Sequence, residues 1–339
     1  MATEPQTAGA PPGTPAPAAG GRKTPKMSGD RVAQLGPLFA LLLACVFFTT
    51  QSDQFLDPTN FSLIIQQVMV IGTLAIGQTL IILTAGIDLS CGTAMALGSI
   101  VMTKLAVDSG VAPVIAILLG IITCAVVGFV NGGLVVGLSL PPFIVTLGTF
   151  SICLALTHIY SKDETISGLP SVMTKLGESF SIGDTAVTYG SLVTLGLFAV
   201  FWFILTQTTW GRRVYALGDN PEATRLMGVP VRKQLLMVYV VAGVIYGIAA
   251  LLLIARTNVG DPNAGQTDNL DVITAVVLGG TSLFGGRGTM IGTLIGALII
   301  GVVRNGLVLM GVASTYQILI TGILVIVAVS VDQIARKRA

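Results

Sequence analysis

Amide and hydroxyl side chains interrupt the long apolar stretches of this 339-residue sequence. Gln66, Gln67, Asn131, Thr146 and Asn305 each stand among residues that are otherwise hydrophobic. In hydrocarbon such groups need hydrogen-bond partners or water, so each one either bridges neighbouring helices or lines a pathway for a solute. Both interpretations stay open for each residue. If they line a pathway, a neutral polyol is the solute that suits uncharged amides and hydroxyls.

Ionisable side chains are sparse in the same stretches. Asp88 stands near the boundary of one stretch, Asp268 and Asp271 near the end of another, and Arg304 within a third. A pathway for protons or ions would show several carboxylates or histidines in series. This scarcity argues against an ion-coupled secondary transporter, which remains the alternative from another class. For Arg304 we expect an ion pair or a backbone partner rather than contact with a solute.

The motifs of nucleotide hydrolysis and nucleophilic catalysis are missing. The sequence contains no Gly-Lys pair, and therefore no GxxxxGK[ST] phosphate-binding loop. His158 is the single histidine, and no serine motif can be paired with it. The cysteines have neither metal-ligand nor disulfide spacing, and we interpret them as packing residues; they are Cys45, Cys91, Cys124 and Cys153. We predict that the chain is not an enzyme and binds no metal or cofactor itself.

The composition predicts an all-α, polytopic integral membrane protein. Hydrophobic residues make up 53% of the chain and charged residues 10%, where soluble domains carry about 25% charged residues. A formal net charge of +2 with no large basic patch argues against a nucleic acid partner. Scanning for apolar runs of about 20 residues predicts about ten transmembrane helices, at 35–51, 61–83, 91–106, 112–131, 143–159, 188–206, 235–255, 269–283, 289–311 and 315–331.

Two glycine-containing stretches predict broken helices. They are LTAGIDLSCGT at 83–93 and GGTSLFGGRGT at 279–289. Non-helical backbone at membrane depth occurs where it lines a cavity or is buried in protein, which would make both stretches pathway candidates. Each could instead be a tight turn outside the membrane; the two interpretations are balanced for 83–93, and the turn is preferred for 279–289. Five spans in each half would make the halves inverted repeats, although no residue-level repeat is visible.

Lysine and arginine counts predict the orientation. With the N-terminus inside, thirteen of these residues fall on the cytoplasmic side and four outside, and this bias favours cytoplasmic termini. Residues 1–30, rich in Ala, Pro and Gly, are expected to form a disordered cytoplasmic tail. Residues 31–334 form the predicted transmembrane domain, and 335–339 form a basic cytoplasmic end.

The polar stretch GDNPEATRLMGVPVRK at 218–233 carries the signals of one complete short helix. Asn220 is its predicted N-cap, Pro221 its first residue, and Glu222 lies in the first turn. Gly228 follows the end, where we expect a left-handed conformation. A helix of about seven residues is not stable alone in water, so we expect Leu226 and Met227 to pack against a partner.

Four blocks of the sequence occur in a characteristic order. They are ILTAGIDLSCGT (82–93), LPPFIVTLGT (140–149), TTWGRRVYALGDNPEA (208–223) and ITAVVLGGTSLFGGRGT (273–289). Together they resemble the permease subunits of binding-protein-dependent ABC importers, in particular the ribose- and fructose-type monosaccharide permeases. The resemblance covers the chain from about residue 35 onward. The segments DETI (163–166), FSIGDTAVTYG (180–190) and NAGQTDNLDVITAV (263–276) carry a weaker likeness to the fructose-type members.

The resemblance implies partners and a mode of action. A separate cytoplasmic ATPase subunit would receive the short helix and use ATP and Mg²⁺, and an extracytoplasmic binding protein would deliver fructose or ribose. A second permease copy would complete the membrane unit in the bacterial plasma membrane. The implied coupling loop spans about 207–234, and within it the implied coupling residues are Asp219, Asn220, Pro221, Glu222, Ala223, Arg225, Leu226 and Gly228.

The resemblance also leaves the cargo and the pathway open. Branched-chain amino acids are carried by a related permease group and are the alternative cargo. Two residues depart from the common pattern of the family: Thr224 replaces a second alanine, and Arg304 replaces an uncharged neighbour of Asn305. The candidate pathway residues are Gln66, Gln67, Asp88, Asn131, Phe143, Thr146 and Asn305.

Overall fold

The computed structural model describes residues 27–338. The predicted N-terminal tail lies outside this range except for its last four positions, 27–30, which begin the first helix. The helices are α1 (Met27–Gln51), α2 (Pro58–Leu83), α3 (Cys91–Val107), α4 (Pro113–Gly137), α5 (Pro142–Ser161), α6 (Ser171–Thr174), α7 (Tyr189–Gln207), α8 (Thr209–Asp219), α9 (Pro221–Leu226), α10 (Val231–Thr257), α11 (Asp268–Leu278), α12 (Met290–Leu309) and α13 (Ser314–Arg338).

One hairpin is an exception to the all-α prediction. Strands β1 (Ser179–Ile182) and β2 (Thr185–Thr188) pair antiparallel, with Ser179 opposite Thr188. Gly183, at a φ of +63°, forms part of the tight turn between them. Alternating residues on either side of a Gly-Asp pair are the local signal for this hairpin.

Each of the ten predicted apolar runs overlaps one helix, although the run at 269–283 extends five residues past the end of α11, and the chain is a polytopic membrane protein. Within residues 27–338, six helices are long and apolar enough to cross a membrane: α2, α4, α5, α7, α10 and α12. Shorter apolar helices occupy Gly36–Gln51, Cys91–Val107 and Ser314–Val327. Helix α11 has only 11 residues, about half of what a membrane crossing requires.

The long helices run in alternate directions between two ends of the molecule. At the hairpin end, the amide of Ala186 in β2 donates to Ser62 Oγ near the start of α2, at 2.8 Å. At the α9 end, the carbonyl oxygen of Leu83, the last residue of α2, accepts from the amide of Gly286 at 3.0 Å. Helix α2 therefore runs toward the α9 end. Helix α10 runs the other way, since Gln234 near its start donates to the carbonyl oxygen of Trp210 in α8, at 3.4 Å.

Two shorter helices begin deep inside the molecule, where their N-terminal regions meet. A β-carbon added at Gly92 in α3 would lie 2.1 Å from the carbonyl oxygen of Gly265, just before α11. Asn269, in the first turn of α11, donates to the carbonyl oxygen of Leu89, at 3.3 Å. Non-helical stretches lead into both helices, residues 84–90 before α3 and 258–267 before α11. The helix break predicted at 83–93 is therefore buried in protein.

The contacts of α2–α5 are repeated by α10–α13 in the opposite direction. Helix α3 packs against α4 and α5, and α11 packs against α12 and α13. Helix α10 packs against α4 and α3, while α2 packs against α12 and α11. Since α2 and α10 run in opposite directions, the two four-helix units form an inverted repeat. This agrees with the predicted inverted halves, with four matching helices in each unit instead of five.

Glycines bring the central helix α10 into close contact with α4. A β-carbon at Gly128 would lie 2.2 Å from the carbonyl oxygen of Tyr239, and one at Gly243 would lie 2.4 Å from that of Cys124. Small residues allow helices to approach each other this closely in membranes. The α4–α10 contact therefore depends on the absence of side chains at these positions.

We expect Gly128→Ala to destabilise the protein, because the new methyl group would overlap the backbone of α10. Overpacking of this kind costs about 1–3 kcal/mol. The matched control is Gly133→Ala on the same helix, where nothing lies within 4 Å of the added β-carbon. In detergent, thermal unfolding should shift to lower temperature for Gly128→Ala only. Equal midpoints for the two variants would contradict the close contact.

Candidate functional site

The surface at the α9 end is built on α8, an amphipathic helix within the predicted coupling loop. Gly211, Val214, Leu217 and Gly218 are its buried residues. Helix α8 was not predicted as a separate element, although Trp210, Val214 and Leu217 recur at helical spacing. Helix α8 carries the short helix α9 at its C-terminal end, so it decides where α9 lies.

Helix α9 has the predicted capping residues at both ends. Asn220 Oδ1 accepts a hydrogen bond from the amide of Ala223 at 2.9 Å, and Pro221 is the first helical residue. The helix ends at Leu226, and Gly228 adopts a φ of +80°. The predicted N-cap, first residue and left-handed glycine are confirmed as local structure.

Thr224 attaches α9 to α8. Its hydroxyl lies 2.8 Å from the carbonyl oxygen of Ala216 in α8 and 2.8 Å from that of Asn220. The residue is buried, with 1% of its surface exposed. An alanine, the residue common in the resembling family, could not make these bonds. The threonine therefore fixes the angle between the two helices.

The outer face of α9 is exposed. Leu226 and Met227 are 78% and 70% exposed, so within the described part of the chain they do not pack against a partner. Glu222 and Arg225 form a salt bridge at 2.7 Å, one helical turn apart. The hydrogen bond from Arg225 lowers the pKa of Glu222. This surface thus presents an apolar pair beside a paired, charged group.

The glycine-rich stretch at 279–289 is a compact turn at the α9 end, as the preferred interpretation predicted. The amide of Ser282 donates to the carbonyl oxygen of Arg287 at 2.9 Å. Gly285 and Gly286 have φ angles of +82° and +71°. A β-carbon at Gly286 would lie 2.9 Å from the backbone of Asp219, the last residue of α8. The turn therefore links α11 to α12 along the chain and packs against the end of α8.

A cavity of about 680 Å³ opens between α2, α10, α12 and the stretch before α11. The predicted pathway residues Gln66 and Gln67 line it. The Oε1 atom of Gln67 is buried and has no hydrogen-bond partner in the described structure. The other polar side chains of the lining are Arg256, Thr257, Asp261, Asn263, Gln266, Thr267, Asp268 and Arg304.

Charges at this cavity occur in both signs. Arg304 on α12 pairs with Asp271 on α11 at 3.2 Å and lies 4.0 Å from Asp268. The ion-pair role expected for Arg304 is confirmed. The charged lining residues are two arginines and two aspartates, Arg256, Arg304, Asp261 and Asp268. Together with Asp271, the partner of Arg304, the group holds two arginines and three aspartates.

Three of the other predicted pathway residues lie around the non-helical stretch 84–90, away from the cavity. Asp88 is 1% exposed, and its Oδ1 atom accepts from the amide and the hydroxyl of Ser90, at 2.7 and 2.6 Å. Asn131 on α4 donates to Ser90 Oγ at 3.0 Å. Thr146 on α5 donates to the carbonyl oxygen of Ile87 at 3.0 Å. The side chains of Asn131 and Thr146 thus bridge elements, which is the alternative that the sequence left open, whereas the Asp88 carboxylate bonds within its own stretch.

The two remaining candidates do not line the cavity either. Asn305 on α12 donates to Asn60 Oδ1 on α2 at 2.8 Å, and both residues are buried. Phe143, in the first turn of α5, is 50% exposed. The structure therefore brings only Gln66 and Gln67 of the predicted set together at the cavity.

Comparison with known proteins gives a family match over most of the chain. A family model described as "Branched-chain amino acid transport system / permease component" matches residues 60–329. A fructose import permease protein of Rhizobium meliloti is 44% identical over 309 residues, covering 89% of this chain and 86% of the relative. A ribose import permease protein of Bacillus subtilis is 40% identical, covering 90% and 94% of the two chains. A galactose/methyl galactoside import permease protein of Escherichia coli is 33% identical, covering 88% and 93%.

We expect Thr224→Val to loosen α9 from α8, because valine has the same shape but lacks the hydroxyl that bonds Ala216. Backbone amides of 223–228 should exchange with deuterium several times faster, consistent with the loss of about 1 kcal/mol for a hydrogen bond. Thr206→Val is the control, since the Thr206 hydroxyl donates only to Trp202 within α7. Unchanged exchange in Thr224→Val would show that this bond does not fix α9.

Proposed function

The chain belongs to the permease component family that its residues 60–329 match, and from this membership we propose that it imports a monosaccharide across the bacterial plasma membrane. It acts as the membrane-spanning subunit of an ABC importer. The observation that carries the proposal is 44% identity to a fructose import permease over 89% of the chain. Transport, rather than catalysis, is the role of such a component.

The cavity at the hairpin end supports a neutral cargo. Its volume of about 680 Å³ lies within the range of about 300–1,000 Å³ that is usual for small-molecule sites. Gln66 and Gln67 line the cavity, and their side-chain amides are donors and acceptors of hydrogen bonds. Arg304 is already paired with Asp271. We propose that the sugar enters through this cavity, with Gln66 and Gln67 as contacts.

The sugar assignment is favoured over the branched-chain amino acid that the family description names. Relatives named for fructose, ribose, allose and galactose match 86% or more of this chain. Fructose is our first candidate and ribose the second, in the order of sequence identity. An ion-coupled secondary transporter is disfavoured because charged groups at the cavity lie beside opposite charges: Arg304 pairs with Asp271 and lies 4.0 Å from Asp268.

We propose that α9 docks onto a separate ATPase subunit. The exposed Leu226 and Met227 provide the apolar contact, and the Glu222–Arg225 pair provides polar specificity at its edge. ATP and Mg²⁺ would be used by that partner. A sugar-binding protein would dock at the hairpin end, and a second permease copy would complete the unit. The proposed docking residues are Asp219, Asn220, Pro221, Glu222, Ala223, Arg225, Leu226 and Gly228.

The proposed topology has ten spans with both termini in the cytoplasm. Arg212, Arg213, Arg225, Arg232 and Lys233 belong to the α9 end, and a high density of cations marks the cytoplasmic side of a membrane protein. The α9 end would then face the cytoplasm, together with residues 1–30 and 335–339. The permease domain would be 31–334, with α3 and α11 as shorter helices within the membrane.

We expect single cysteines at the two ends to react from opposite sides of the membrane. In a cysteine-free background, Glu178→Cys next to β1 should react with an impermeant thiol reagent in intact cells. Glu222→Cys on α9 should react only after the cells are opened. Labelling of position 222 in intact cells would contradict the proposed orientation.

Deletion of the gene from its host should abolish high-affinity uptake of one monosaccharide, tested with labelled fructose first and ribose second. The wild-type gene should restore uptake, and Gly228→Val should not, because a β-branched residue resists the φ of +80° that ends α9. Gly110→Val, at a φ of +64° in the loop between α3 and α4, is the matched control. Normal sugar uptake with impaired amino acid uptake would overturn the sugar assignment.

A further inference from the structure

The non-helical stretch 84–90 is held by side chains from four different helices. With its side-chain amide assigned the orientation that satisfies both groups, Gln78 on α2 donates to the carbonyl oxygen of Asp88 at 3.1 Å and accepts from the Asp88 amide at 3.2 Å. Thr146 on α5 bonds Ile87, and Asn269 on α11 bonds Leu89, each at a carbonyl oxygen. Asn131 on α4 bonds the hydroxyl of Ser90. Four consecutive residues, 87–90, thus have a polar partner on a different helix.

One end of the same stretch touches the surface that carries α9. The carbonyl oxygen of Leu83 accepts from Gly286 in the glycine turn. A β-carbon added at Gly218, near the end of α8, would lie 1.8 Å from that oxygen. One at Gly285 would lie 2.8 Å from the amide nitrogen of Ala85. With no side chain between Gly218 and the Leu83 carbonyl, a shift of α8 would act directly on the end of α2 that leads into residues 84–90.

The other end of the stretch touches the wall of the cavity. Gly92, in the first turn of α3, packs backbone to backbone against Gly265, which lines the cavity. A β-carbon added at Gly265 would lie 2.5 Å from the carbonyl oxygen of Gly92. Leu89 is bonded to Asn269, one residue after the lining residue Asp268. A displacement along 84–90 would therefore reach the loop that forms the cavity.

We propose that residues 84–90 are the element that couples the docking surface of α9 to the cavity. A non-helical stretch inside the membrane has backbone groups that cannot remain unpaired. It can therefore shift only if its bonded partners move with it or if it exchanges them for others. Thr146 and Asn269 are positioning residues in this scheme: they bond the stretch 84–90, so that its movement is transmitted to α5 and α11. The inference rests on the proposed function, whose ATPase supplies the movement.

The test compares isosteric variants at two positions on α5. Thr146→Val removes the donor to Ile87, and Thr146→Ser keeps it. The control is Thr157→Val, because the buried Thr157 hydroxyl bonds only Cys153 within α5, at 2.7 Å. Asn269→Leu removes the donor to Leu89 as a second, independent change. Each variant is reconstituted in liposomes with its ATPase and binding protein, and sugar transported per ATP hydrolysed is measured.

We expect Thr146→Val and Asn269→Leu to keep basal ATP hydrolysis while sugar transported per ATP falls about two- to ten-fold, the factor expected from one buried hydrogen bond. Thr146→Ser and Thr157→Val should stay near the wild-type ratio. The proposal is overturned if the ratio is unchanged in Thr146→Val and Asn269→Leu, or if Thr157→Val lowers it equally. It is also overturned if both variants fail to insert, since the stretch would then have a structural role only. Failure of the wild-type complex to transport any sugar would instead refute the proposed function.

Discussion

The pairing of backbone groups in the non-helical stretch 84–90 is the constraint on which the rest of the structure depends. Inside a membrane protein an unpaired amide or carbonyl costs several kcal/mol. The amides of residues 84–86 donate to carbonyl oxygens in the last turn of α2, whereas the carbonyl oxygens of residues 87–89 accept from side chains. Side chains of Gln78, Thr146 and Asn269 bond backbone groups of residues 87–89, and Asn131 bonds the hydroxyl of Ser90. These residues come from α2, α4, α5 and α11, so satisfying one short stretch fixes the relative positions of four helices.

Glycines complete this arrangement because polar bonds at such depth require backbones to approach closely. Gly92 meets Gly265 where α3 and α11 begin, and Gly218 meets the last carbonyl of α2. A side chain at any of these positions would overlap backbone atoms, which cannot move aside as a flexible side chain can. The contacts are therefore rigid, and a displacement at one of them is passed on rather than absorbed. This property gives a buried broken helix a mechanical role as well as a structural one.

Signals that act within a few residues were readable from the sequence. The caps of α9 at Asn220 and Gly228 were predicted because they depend on local chemistry. The apolar runs predicted the long helices for the same reason. The pathway role predicted for Asp88, Asn131 and Thr146 rested on the cost of polar groups in hydrocarbon. That cost shows that each needs a partner, but whether the partner is a solute or the backbone of residues 87–90 is decided by contacts between distant helices.

The exposure of Leu226 and Met227 is explained by the contacts that stabilise α9, because those contacts lie on the other face of the helix. A helix of six residues is not stable through its own hydrogen bonds alone. Helix α9 is stabilised instead by its caps and by Thr224, which bonds it to α8. Its stability thus comes from the face that packs on α8, and within the described chain Leu226 and Met227 do not contribute to it. Two large apolar side chains kept in water on a rigid support are costly to the isolated subunit, and burial against a partner would recover that free energy. Helix α8, which supports α9, contacts Leu83 through Gly218. A force applied to Leu226 and Met227 therefore reaches the non-helical stretch 84–90 without passing through a flexible segment.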